Sequence, residues 1–176
     1  METRIMLERL TRNIVQVAAL AAFLLLPAIS SAEDVLLRVG GAVDTPLELT
    51  RSDLEAMPRD QFQIPARHDR NVMETWSGVP MIEILRKAGA PVGDRLRGRD
   101  MAAYVVVIAE DGFRAVYALA EIEPRFSPER RILVADRLDG KALGGDFGNL
   151  RIANKGEGEF SRWVRQVVAL EVRIAE

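Results

Sequence analysis

Beyond residue 33, apolar residues recur in short blocks whose periods assign the elements. Residues 35–39 (Val-Leu-Leu-Arg-Val) predict a first strand, ended by Gly40-Gly41. Thr50, with Asp53 three residues on, is a helix-capping pattern, and Leu54 and Met57 follow before Pro58 stops the helix. Residues 61–66 are expected to be extended, because Pro65 disfavours a helix there. Ser77-Gly78-Val79-Pro80 is read as the opening of the clearest helix, with Pro80 at its first position. Met81, Ile82, Ile84, Leu85 and Ala88 then mark one apolar face, and Gly89 and Pro91 end it.

The second half reads mainly as strands. Residues 103–109 form an unbroken apolar run rich in β-branched side chains. Asp111-Gly112 is a hairpin turn signal, and residues 113–118 return as the partner strand. Residues 131–135 predict another strand and Asp139-Gly140 another turn. Residues 150–153 and 164–174 are the last strands; in the final one Leu170, Val172 and Ile174 alternate with Glu171 and Arg173. Strands joined by hairpins, with a few short helices inserted, predict an α+β fold with mostly antiparallel, mixed sheet.

The N-terminus has a different character. Arg4, Arg9 and Arg12 precede an uncharged apolar stretch over residues 14–28, and Ser30-Ser31-Ala32 supplies small residues before Glu33. That order predicts a cleavable secretory signal over residues 1–32 and a single domain over residues 33–176. The apolar stretch is short for a bilayer span and contains Pro27, so no membrane span is expected after cleavage. No twin-arginine pair precedes it. The expectation is therefore export by the general route, unfolded, to the periplasm or beyond.

Composition narrows the chemistry. The chain has no cysteine and one histidine, His68. Disulfides, catalytic thiols, zinc–thiolate sites and multi-histidine metal sites are excluded, and no metal-ligand spacing stands out. A net charge of −2 gives no electrostatic footprint for nucleic acid.

Three segments are candidates for a binding site. Arg67-His68-Asp69-Arg70-Asn71 gathers two guanidiniums, an imidazole and an amide, donors suited to an anion. Gly144-Gly145-Asp146-Phe147-Gly148-Asn149 allows close backbone approach but matches no phosphate-binding fingerprint. Residues 155–165 carry Lys155, Arg162 and Arg165, which could face an anion with Trp163 as a wall. For each segment the alternative is a solvated loop.

The order of these pieces resembles the molybdopterin-binding domain of the sulfite oxidase family, in its short exported bacterial form. Four stretches carry the resemblance. They are the segment Leu47 to Pro58, the helix entry Trp76-Ser77-Gly78-Val79-Pro80-Met81 with Leu85 and Ala88-Gly89, the Asp111-Gly112-Phe113 hairpin, and Asp139-Gly140-Lys141-Ala142-Leu143 followed by Leu150-Arg151-Ile152. The resemblance implies that family's fold and a pterin cleft. Arg67, His68, Arg70, Asn71, Arg162 and Arg165 are the residues placed at that cleft. Catalytic members of the family ligate molybdenum with one cysteine; here Ala66 falls near that position, ten residues before Trp76. Asn149 and Asn154 stand where the family has proline around the Leu-Arg-Ile strand.

Two readings of function follow. In the first, the domain is a non-catalytic module whose cleft takes a small anionic or heterocyclic ligand, or a periplasmic protein partner. In the second, it is a periplasmic oxidoreductase that holds molybdopterin without a protein thiolate, with oxide, hydroxide or His68 near the metal. Alanine cannot replace a soft thiolate ligand, which favours the first.

Overall fold

The computed structural model describes residues 33–176, so the expected signal segment lies outside the described residues. Two five-stranded sheets make up the fold. The first contains β1 (Leu37–Gly41), β2 (Leu47–Leu49), β5 (Ala103–Ala109), β6 (Arg114–Ala118) and β10 (Val167–Ile174), in the order β2-β1-β10-β5-β6. Only β1 and β10 run parallel there. The second sheet is antiparallel throughout. β3 (Asp60–Pro65) pairs β4 (Met73–Pro80), β4 pairs β7 (Arg131–Leu138), and β7 also pairs β8 (Lys141–Ala142) and β9 (Arg151–Lys155). The helices α1 (Arg51–Glu55), α2 (Met81–Lys87) and α3 (Leu119–Ile122) are short. The architecture is α+β with one mixed and one antiparallel sheet.

Local chemistry explains most of the elements. Thr50 and Asp53 form a reciprocal capping box on α1. Asp139 and Gly140 both take positive φ, the backbone that a tight hairpin between β7 and β8 requires. The Asp139 carboxylate also accepts a hydrogen bond from the Thr75 N–H.

The helix entry is not as the sequence pattern suggests. Trp76 to Pro80 belongs to β4, and the helix begins at Met81. Pro80 has ψ 129°, outside the helical region, and pairs with Leu133 of β7. Proline can end a strand here because it has no N–H to place in the ladder. The expected last strand also starts later, at Val167, because Gln166 takes φ 52° and breaks the extended run. At the other end β1 runs on through Gly40 and Gly41. A side chain at Gly41 would lie 2.1 Å from the Val172 carbonyl oxygen, so glycine is needed for the close pairing with β10.

Two cores result. The larger joins Leu37, Val105, Leu170 and Val172 of the first sheet to Val79, Val134 and Ile152 of the second, with Ile84 and Leu85 of α2. The smaller lies on the opposite face of the second sheet, where Phe62, Trp76, Leu133, Ala135 and Ala153 meet Leu143 and Trp163 from the loops. Alternation along β7 creates both: Ile132 and Val134 face one core, Leu133 and Ala135 the other. The smaller core is rich in aromatic rings and underlies the candidate site.

Candidate functional site

A cleft of about 820 Å³ opens above the smaller core. Four loops wall it: the β3–β4 connection, the β5–β6 hairpin, the segment after β8, and the segment before β10. Trp76 and Trp163 stack edge to face with ring centroids 5.6 Å apart, and Phe147 packs against Trp76 at 5.9 Å. Phe160 leans on Trp163 at 4.7 Å. Such offset and edge contacts are the favoured arrangements of aromatic rings.

Arg151 sits among these rings. Its guanidinium carbon lies 4.6 Å from the Phe147 centroid, 4.9 Å from Trp76 and 5.6 Å from Trp163. The residue is 8% exposed, and its Nε is sealed from solvent without a hydrogen-bond partner. Among the described residues no carboxylate forms a salt bridge with it. Burial pushes its pKa down to about 10; Arg165 and Arg67 add to the shift and Glu74 opposes it. A buried, unpaired guanidinium costs free energy, offset in part by the ring faces. Its fork of donors suits a carboxylate or another oxyanion.

The structure brings Arg67, His68 and Arg165 to this cleft together with Arg151. It places the other candidates elsewhere. Arg70 lines a smaller recess beside the cleft. Asn71 hydrogen-bonds to Asp69 in an exposed turn. Arg162 is engaged in ion pairs with Glu157 at 2.6 Å and Glu121 at 3.0 Å, and Glu121 also pairs with Arg130. Burial alone would lower the pKa of Arg162, but the hydrogen bonds to Glu121 and Glu157 outweigh it and raise it. The buried Tyr117 hydroxyl donates to the Arg162 carbonyl. Arg162 therefore ties the loop before β10 to α3. Arg162→Met should cost about 1–3 kcal/mol in urea denaturation, because it leaves Glu121 and Glu157 without their shared cation. An unchanged midpoint would refute this role.

The sequence reading missed Arg151 as a site residue. Its signal was a single charge between Leu150 and Ile152 in an otherwise apolar strand. It also left out Trp76, whose aromatic character alone suits an ordinary core, whereas the candidate segment 144–149 does reach the cleft through Gly144, Asp146 and Phe147.

A molybdenum cofactor of the resembled family needs a soft thiolate ligand from the protein. The chain has no thiolate, and Ala66 is buried at the recess beside the cleft, with no donor atom to offer. Among the described residues no three histidine, aspartate or glutamate side chains cluster as a metal site would require. A thiolate-ligated metal does not fit this set, whereas an anionic group fits Arg151, Arg67 and Arg165. No helix among the described residues is long and apolar enough to cross a membrane.

No protein-family model and no curated protein sequence matches the chain. Among solved structures, the sulfane dehydrogenase SoxCD from Paracoccus pantotrophus is similar in fold, with a TM-score of 0.60 at 19% identity. The match covers 81% of this chain but 39% of that one, so this chain spans well under half of the dehydrogenase chain. At that identity the likeness is one of fold alone: a distant relation to the molybdopterin-domain fold.

Proposed function

We propose that this protein is an exported, non-catalytic binding module whose cleft takes a small organic anion. The single observation behind the reading is Arg151, a buried guanidinium held among aromatic rings without a carboxylate partner. Protein interiors rarely keep a charge unpaired unless something else binds it. Arg67 and Arg165 add positive charge to the same cleft, and the Trp76, Phe147 and Trp163 rings favour a flat ligand. The distant likeness to a sulfane dehydrogenase supports a common scaffold, and a scaffold can lose its chemistry while keeping its cleft.

The test uses the full chain expressed in a bacterium that makes molybdopterin. The periplasmic protein, beginning at Glu33, is expected to contain neither molybdenum nor the fluorescent oxidised pterin, and to bind aromatic carboxylates by calorimetry. Stoichiometric metal and pterin would overturn the reading and favour an oxidoreductase with an unfamiliar metal coordination. A cytoplasmic, uncleaved product would overturn the export part of it.

A further inference from the structure

We propose that the ligand of the cleft is a small aminocarboxylate, with its carboxylate on Arg151 and its ammonium on Glu74, across the indole of Trp76. This inference rests on the reading of the cleft as an anion site and adds a second, opposite charge to the ligand. The lining carries both signs: Arg67, Arg151 and Arg165 share it with Glu74, Asp111 and Asp146. Elsewhere arginines and carboxylates find each other, as Arg59 does Asp136 and Arg95 does Asp44. Among the described residues, none of the six cleft charges forms an ion pair. Opposite charges thus surround one space and are held apart across it.

Trp76 fixes where two of these charges stand. Glu74 and Trp76 lie two residues apart on β4 and so project from the same face of the second sheet. The Trp76 Nε1–H donates to Glu74 Oε2 at 3.1 Å, and Glu74 Oε1 makes no hydrogen bond among the described residues. Arg151 lies over the same indole, its guanidinium carbon 4.9 Å from the ring centroid. One indole therefore carries a carboxylate at its N–H edge and a cation at its face. The two charges still interact, since Glu74 partly offsets the lowering of the Arg151 pKa. Only Nε of Arg151 is both sealed and unpartnered, so its terminal nitrogens are the ones a ligand in the cleft would meet.

This arrangement discriminates between a plain carboxylate and a zwitterion. A plain carboxylate gains the Arg151 guanidinium but is brought beside Glu74, and like charges set together in a partly desolvated site repel. An ammonium on the same molecule turns that repulsion into attraction and gives Glu74 Oε1 a charged donor. The Trp76 ring lies between the two charges, so the atoms that link carboxylate to ammonium rest on an apolar surface. Asp111 and Asp146, from the β5–β6 hairpin and the segment after β8, add negative charge to the same lining and disfavour a ligand that is purely anionic.

The test compares two matched pairs of ligands by calorimetry on the periplasmic protein. Phenylalanine is set against hydrocinnamate, and para-aminomethylbenzoate against para-toluate; within each pair only the ammonium differs, and the pairs differ in how far it stands from the carboxylate. In at least one pair the aminated member is expected to bind about tenfold tighter or more, the worth of one hydrogen bond to a charged group. In Glu74→Gln, whose amide oxygen can still accept from Trp76, that ratio should fall to about one. A role for Glu74 in holding Trp76 alone would weaken both members equally and leave the ratio as it was, which would overturn the assignment. Equal affinities within both pairs in the unmodified protein would also overturn it while leaving the cleft reading intact, and that comparison needs no variant to fold. Binding of none of the four ligands would overturn the cleft reading, and this inference with it.

Discussion

Arg151→Met is expected to make the ligand-free protein more stable and to abolish most of its affinity for carboxylates. The two effects share one cause. In the folded state burial holds the Arg151 pKa at about 10, well below the ordinary guanidinium range. A cation whose pKa is lower folded than unfolded destabilises the fold wherever it is charged in both states. The penalty is therefore full at neutral pH and is relieved only as pH rises through about 10. Methionine keeps the length and the ring contacts but removes the charge, and should stabilise by about 1–3 kcal/mol after the lost cation–π attraction is counted. The gain should be flat with pH below 10 and shrink above it, which comparing urea midpoints across that range will show. The same variant should bind benzoate about 10- to 100-fold more weakly, the worth of a hydrogen bond to a charged group. A variant that is destabilised and still binds would mean that Arg151 is a packing residue.

Gly78→Ala should have a large effect on stability, because a new Cβ would meet backbone. It would lie 2.2 Å from the Val134 carbonyl oxygen and 2.5 Å from the Ala135 Cα, both in the neighbouring strand. No rotamer change relieves such a clash, so β4 and β7 would have to separate at the point where their register shifts, between Ser77 and Gly78. Trp76, two residues away, packs in the smaller core beneath the cleft. The cost should exceed about 3 kcal/mol and reduce both thermal stability and ligand binding. Gly40→Ala is the control, since a Cβ there meets nothing within 4 Å. It should stay within about 0.5 kcal/mol of the unmodified protein. Equal stabilities for the two variants would show that β4 and β7 pack less closely than described.

Much of the fold is legible locally. The capping box at Thr50 and Asp53 and the Asp139-Gly140 turn depend on residues only a few positions apart, and the structure shows both. The hairpin of β5 and β6 likewise follows from an apolar run, a turn and a returning run. Segment 76–80 differs from its sequence expectation because its apolar residues fit either a helix entry or a buried strand. Pairing with β7, more than fifty residues away, decides between the two.

The site follows the same division. Composition alone removes thiolate chemistry, since a residue type that is absent cannot be supplied by folding. The charge runs around Arg67 and Arg165 are visible as runs, because like residues crowd a short loop. Neither the isolation of Arg151 nor the diversion of Arg162 can be read that way. Each has one partner close in the chain, Glu157 for Arg162 and Phe147 for Arg151, but the remaining partners come from distant strands and loops. Arg162 meets Glu121, forty-one residues back. Arg151 meets Trp76, Phe147 and Trp163, brought around it by the second sheet and the loops above it. Whether a guanidinium is paired or exposed to a ligand depends on what lies within a few ångströms. For these two residues that is set by long-range packing, because the chain between the partners carries no local record of where they meet.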